Sequence, residues 1–316
     1  MKAKIILIAI LLWPVSAVGQ LNQIGLENYK VTSITVADNS YYEKFIVAGT
    51  ENDGMYFHQF ADDDSVWSNL FKNNRGMSCL YAQELDSAHT KLFWALKLDT
   101  IRYIPLIYSN VMPVQSAIVA EDSGLDKSKV QTIKSFAGFD YLSNDQSMSV
   151  FCCTNDPNIY KYSARSWSKV WEGQDIVNFN FVYTCNSTVW AGGISNGFIA
   201  TPLLLKSTDY GITWDTLHLP LGEIHSCYSI CVSPLNNNIV FVGLNENILR
   251  STDGGKTWVT CLSNIHDVVF TGILINPQKL EQIYAGVKYF NTDFIFFKSD
   301  DNGKSGCSRI FIPIIL

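Results

Sequence analysis

The sequence predicts an all-β chain folded as a β-propeller of about six four-stranded blades, or of seven with the last one cut short. Three observations predict it. Short apolar runs with a small residue at their centre recur along the chain: VAGT (47–50), WALK (94–97), FCCT (151–154), WAGG (190–193), FVGL (241–244) and YAGV (284–287), at intervals of 39 to 57 residues. A second pattern sets Ser, Asp, Gly and Trp at fixed offsets, in STDYGITW (207–214) and STDGGKTW (251–258), whose aspartates lie 44 residues apart. No stretch shows a helical apolar period of useful length. Four short strands repeating every 40–50 residues or so are the mark of propeller blades. A single four-stranded sheet cannot bury both faces alone, and stacking it between neighbours does so while leaving only short edges.

The elements follow in order. Residues 1–19, MKAKIILIAILLWPVSAVG, open with Lys2 and Lys4, continue with an apolar run from Ile5 to Trp13, and end in small residues before Gln20. That is the layout of a secretory signal peptide, and the apolar run is too short for a membrane span. The expected organisation is a signal peptide, 1–19, and one propeller domain, 20–316, secreted or periplasmic after cleavage. No later run is long and apolar enough to cross a membrane. Each blade marker is preceded by an alternating run such as VTSITVAD, VNFNFVYT or YSICVSP and followed by another, as strands with one buried face require. The small central residue lets neighbouring sheets approach closely.

Composition narrows the function. Of 316 residues, 47 % are apolar and 16 % charged, with a formal charge of −6. That excludes a disordered chain, and without a Lys/Arg block it argues against nucleic acid as a partner. The eight cysteines, Cys79, Cys152, Cys153, Cys185, Cys227, Cys231, Cys261 and Cys307, contain no CxxC pair. Most sit in apolar runs and read as small buried hydrophobes. Strict alternation puts Cys227 and Cys231 on one strand face, and Cys152 and Cys153 on opposite faces.

The Ser-Asp-Gly-Trp pattern reads as a hairpin turn. Its Asp accepts backbone N–H bonds, its Gly supplies a positive φ and its Trp supplies apolar area. A third copy, SDDNGKSG (299–306), keeps Ser299, Asp301 and Gly303 but has Gly306 in the Trp place, and the chain then stops after IFIPIIL. Either six blades close with an unusual last strand or a seventh blade is missing. A weaker copy, FADDDSVW, has Asp62 in the Asp place. The motif S-x-D-x-G-x-T-W resembles the Asp-box, or BNR repeat. Propellers of the sialidase superfamily carry it, as do xyloglucanase-type glycosidases, sortilin-like receptors and photosystem II assembly factors. The resemblance implies structural turns made by Asp62, Ser207, Asp209, Gly211, Trp214, Ser251, Asp253, Gly255, Trp258, Ser299, Asp301 and Gly303. It also implies ligands at the opposite end of the blades.

With strands A to D in each blade, the Ser-Asp-Gly turns join C to D, so that opposite end carries the B–C turns and the D–A connections. These are rich in Asn and acids. The candidate ligand-binding residues are Asn52, Asp53, Arg102, Asp156, Asn158, Glu246, Asn247, Asp267 and Asp293. Sialidases hold a carboxylate with three arginines, whereas only Arg75 and Arg102 fall near this end; Arg102 lies in IRYIP, a loose echo of their Arg motif. There is no G-x-S-x-G elbow, no histidine pair at metal spacing and no phosphate loop, so no metal and no cofactor is expected. The predicted function is a monomeric, secreted, non-catalytic module that binds a glycan or a protein. The alternatives are a glycoside hydrolase using two carboxylates of these loops, and an assembly or scaffold factor.

Overall fold

A computed structural model of the chain describes residues 26, 29, 31–37, 45–59, 67–71, 77–86, 89–96, 101–109, 112–115, 119–120, 122–139, 149–221, 225–263, 265–276, 278–289, 294–305 and 308–310. The signal segment 1–19, Asp62, Asp293 and the terminal run 311–316 lie outside the described residues. Among the described residues there are 25 strands and no helix, hence none that is long and apolar enough to cross a membrane. The strands pair into five sheets of four and one of five, each in sequential antiparallel order, as blades of a β-propeller.

The chain divides into two compact units, Asn22–Gly173 and Gln174–Leu316. In the first unit, blade 1 is β1 (Val31–Ala37), β2 (Phe45–Thr50), β3 (Met55–Gln59) and β4 (Ser68–Phe71). Blade 2 is β5 (Met77–Asp86), β6 (His89–Leu96), β7 (Ile101–Ser109), β8 (Met112–Gln115) and β9 (Val119–Ala120). Its outer strand comes in two pieces, since β8 and β9 both pair with β7. Blade 3 is β10 (Ile133–Gly138), β11 (Val150–Thr154), β12 (Asn158–Ser163) and β13 (Ser166–Glu172). Met55, Met77 and Leu92 pack between blades 1 and 2, and Phe93, Cys152, Tyr162 and Trp167 between blades 2 and 3.

In the second unit, blade 4 is β14 (Val177–Cys185), β15 (Thr188–Asn196), β16 (Ala200–Ser207) and β17 (Asp215–Leu217). Blade 5 is β18 (Cys227–Ser233), β19 (Asn236–Leu244), β20 (Ile248–Ser251) and β21 (Val259–Leu262). Blade 6 is β22 (Val268–Ile275), β23 (Ile283–Tyr289), β24 (Phe294–Ser299) and β25 (Ser308–Ile310). Phe181, Trp190 and Val242 fill the space between blades 4 and 5; Phe241, Phe270 and Phe297 fill that between blades 5 and 6. In blades 1 to 5 the second strands are buried on both faces, with all five residues of β11 inside, which is why they read as apolar runs, whereas in β23 Ile283, Ala285 and Val287 are buried and Tyr284, Gly286 and Lys288 are not.

Every blade repeats one irregularity. The first strand slips register by one residue against the second, at Thr32, Ser78, Lys134, Asn180, Tyr228 and Thr271. In each case the next residue stands opposite the small residue of the blade marker: Gly49, Ala95, Cys153, Gly192, Gly243 or Gly286. A β-bulge twists its strand and re-aims a side chain. The small residue gives the room. A Cβ on Gly243 would lie 2.8 Å from Phe270 Cβ in the next blade, and one on Gly49 would lie 3.0 Å from Met77 Cβ.

The bulge corrects the expectation for the cysteine pair. Cys227 packs with Phe181 and Trp190 on the blade 4 side, whereas Cys231 packs with Phe241 and Phe270 on the blade 6 side. The extra residue at Tyr228 inverts the alternation between them. Burial pushes the Cys227 thiol up to about 12 and the Cys231 thiol up to about 11.

Candidate functional site

In both units the antiparallel order sends A–B and C–D turns to one end of the blades and B–C turns and D–A connections to the other. The C–D end carries three near-identical turns. Ser207 Oγ donates to Asp209 Oδ1 at 2.8 Å and accepts from the Gly211 N–H at 2.8 Å. Asp209 Oδ1 accepts from the Thr213 N–H at 2.8 Å, and Oδ2 from the Thr213 hydroxyl at 2.6 Å. Ser251, Asp253, Gly255 and Thr257 repeat this, as do Ser299, Asp301, Gly303 and Ser305, the last through its N–H. The glycines stand at φ 82, 94 and 70°, which glycine alone adopts readily. Trp258 is half-buried and donates to the Gly255 carbonyl at 3.0 Å.

These carboxylates spend their lone pairs within their own turns. Hydrogen bonds, first from Thr213 and from Ser305 respectively, hold Asp209 and Asp301 down to about 2, and those led by Thr257 hold Asp253 below the usual carboxylate range. A carboxylate whose folded pKa lies below its unfolded value of about 3.9 stabilises fully above that value and loses the contribution as pH falls through the folded pKa. Urea midpoints are therefore expected to fall between about pH 4 and pH 2, and Asp209→Asn is expected to flatten part of that slope. An unchanged slope would contradict this role.

At the B–C end of the first unit the candidate residues separate. Asn52 and Asp53 are in the β2–β3 turn, where the Asp53 N–H donates to Thr50 Oγ1 at 3.1 Å. Arg102 is not in a loop: its backbone is inside β7, paired with Trp94 and with Ala120. Asp156 and Asn158 are buried, each 6 % exposed. Asp156 accepts from the Thr154 hydroxyl, from Asn158 Nδ2 at 2.8 Å and from the Tyr160 hydroxyl at 2.6 Å. Their polar groups thus lock the β11–β12 hairpin, leaving the Asn158 Oδ1 atom buried without a partner.

The second unit brings its candidates together. Glu246, at φ 65°, tops the β19–β20 turn between Asn245 and Asn247; Asp267, at φ 63°, precedes β22. The Asp267 N–H donates to Glu246 Oε1 at 3.3 Å, His266 Nδ1 lies 3.7 Å from Glu246 Oε2, and the Glu246 N–H donates to the Val268 carbonyl at 3.1 Å. Asn247 closes the turn through Nδ2 to the Asn245 carbonyl at 3.4 Å. The lattice runs on into blade 4. The Ser226 N–H donates to Asn245 Oδ1 at 2.8 Å, and Asn180 Nδ2 donates to Ser226 Oγ at 2.8 Å and to the Cys227 carbonyl at 2.9 Å. His225 Nδ1 is 3.3 Å from the Asn245 carbonyl. Three successive blades are thereby joined by polar groups, with Asp267 and His266 exposed.

Sequence reasoning did not single out Asn180 or Ser226. Asn180 occupies the bulge of β14, and in VNFNFVYT nothing but its polarity marks it. Phe198, in the β15–β16 turn, was also missed; its only signal is an aromatic residue after Gly197 in a turn. Among the described residues, no cluster of three or more His, Cys, Asp or Glu could hold a metal ion.

No protein-family model matches the chain, and no curated protein matches it. Solved structures do resemble it. One is the extracellular domain assigned to a hybrid two-component system of B. thetaiotaomicron, with a TM-score of 0.61 and 12 % identity over 91 % of this chain and 34 % of that one. The chain thus spans about a third of the length of that neighbour. Another is YCF48 bound to D1 peptide, with a TM-score of 0.52 and 13 % identity over 83 % of this chain and 76 % of that one. A third is the GH74 xyloglucanase from Xanthomonas campestris, with a TM-score of 0.53 and 12 % identity over 87 % of this chain and 52 % of that one. At such identities the likeness is one of fold, and it makes this chain a β-propeller.

Proposed function

We propose that this chain is an exported, non-catalytic propeller module that binds a protein or a glycan at the B–C end of its blades. The observation that carries this reading is the lattice linking Asn180, Ser226, Asn245, Glu246 and Asp267 across three blades. Polar groups held in place before a ligand arrives bind without the cost of ordering them. Glu246 has the chemistry of a positioning anion. Its Oε1 accepts from the Asp267 N–H and its Oε2 lies 3.7 Å from His266 Nδ1, so the carboxylate is oriented by its neighbours in the lattice, whereas a glycosidase acid stands in an apolar setting. In the second unit the candidates Asn247 and Asp267 belong to the same end as the lattice, and the Ser-Asp-Gly turns serve at the other as Asp-box joints; Asn52 and Asp53 occupy the corresponding turn of blade 1 in the first unit.

The layout of residues 1–19 supports export of the domain 20–316, as does likeness to an extracellular domain. Likeness to a propeller with a peptide bound favours a protein ligand, and with it the scaffold reading. The purified protein, incubated with xyloglucan and with sialyllactose, is expected to release no reducing sugar and no sialic acid. Release that disappears in Glu246→Ala or Asp267→Ala would overturn the reading in favour of a glycoside hydrolase.

A further inference from the structure

We propose that blade 4 carries a docking knob, Phe198 with Ile176 and Ile199, for a protein partner that presents an apolar residue flanked by lysine or arginine. The inference rests on the binding-module reading and names the partner chemistry. Phe198 is 106 % exposed, more than in an extended peptide, so nothing among the described residues covers the ring. The other phenylalanines of the second unit whose burial is defined, Phe179, Phe181, Phe241, Phe270 and Phe297, are all buried.

The exposed aromatic does not stand alone. Ile199 is 45 % and Ile176 38 % exposed. The Asn196 N–H donates to the Ile176 carbonyl at 2.8 Å, which ties the segment before β14 to the turn that holds Phe198. A Cβ built on Gly197 would be 3.8 Å from Ile176 Cδ1, so the isoleucine lies along that turn. The patch therefore joins the D–A and B–C segments of one blade, at the end that carries the polar lattice.

Two features select the partner. A ring that stacks on a sugar works with amides or carboxylates beside it, whereas the turn that holds Phe198 carries Ile199 next in sequence and has Ile176 lying along it. An aromatic anchor among aliphatic side chains suits an apolar side chain of a protein, the usual centre of a binding hot spot. The charge around it is acidic. Asp175 adjoins Ile176, and Glu246 and Asp267 stand on blades 5 and 6 at the same end. Among the described residues of the B–C and D–A segments of the second unit there is no arginine and no lysine; Lys288 of blade 6 lies within β23. Opposite charge steers and orients a basic partner.

Random peptides displayed on phage, selected on the wild-type protein and counter-selected on Phe198→Ala, test this. Enriched peptides are expected to combine Lys or Arg with Leu, Phe or Trp. Phe198→Ala should weaken the best synthetic peptide about tenfold or more, and Ile199→Ser should weaken it too. Circular dichroism confirms that both variants keep the fold. The proposal is overturned if no selected peptide depends on Phe198 or if the winners are acidic. It is equally overturned if Phe198→Ala instead abolishes binding to a glycan array or self-association in sedimentation. Binding that survives Phe198→Ala but is lost in Asp267→Ala overturns the knob and leaves the binding-module reading standing.

Discussion

Gly193→Ala is expected to destabilise the protein by about 3 kcal/mol or more, at the top of the range for overpacking. A Cβ at this position would lie 2.0 Å from the Asn178 carbonyl oxygen and 2.7 Å from Phe179 Cα. Both are backbone atoms of the neighbouring strand, beside the β14 bulge, and no rotamer change can relieve the overlap. Either the bulge moves or β14 and β15 separate. Gly272→Ala is the matched control. It sits at the β22 bulge, yet a Cβ there meets nothing within 4 Å, so its effect should stay within about 0.5 kcal/mol. Urea unfolding of the two variants compares them directly. Equal effects would show that the close approach beside the bulge does not constrain blade 4.

The second large effect is expected at Asp156. Asp156→Ala removes the acceptor shared by the buried Thr154, Asn158 and Tyr160 side chains. Each orphaned buried donor costs roughly 1–3 kcal/mol, so a loss of about 3 kcal/mol or more is expected. Asp156→Asn keeps one acceptor oxygen and should cost less, and Tyr160→Phe, which deletes one donor cleanly, should cost about 1 kcal/mol. The order Ala, then Asn, then Tyr160→Phe is the result to check by denaturant midpoint. A change under about 1 kcal/mol in Asp156→Ala would mean that the network does not hold the hairpin, and would return Asp156 to the ligand-facing residues.

Much of the fold was legible because it is repetitive. Markers such as VAGT and FVGL stand on second strands because those strands are covered on both faces, and only apolar or small residues fit there. The turns were legible because the contacts of Asp253 fall within four residues, so spacing alone places donor and acceptor together. The candidate site was less legible. Asp156, Asn158 and Glu246 look alike in sequence, as polar residues of B–C turns. Whether such a carboxylate turns inward to a Tyr two positions beyond an Asn, or outward to the next blade, depends on what the neighbouring blade leaves open. The Cys227 face was misread for a related reason: one extra residue inverts alternation, and no residue type announces a bulge.

The sequence by itself determined the all-β class, the blade rhythm, and the Ser-Asp-Gly turns, because each rests on contacts between residues close along the chain. Only the tertiary structure decided which polar residues join blades 4, 5 and 6, which carboxylates are buried, and that Phe198 is left uncovered. Those outcomes depend on strands some 40 residues apart meeting in a register set by bulges, and that register appears only when the sheets are stacked.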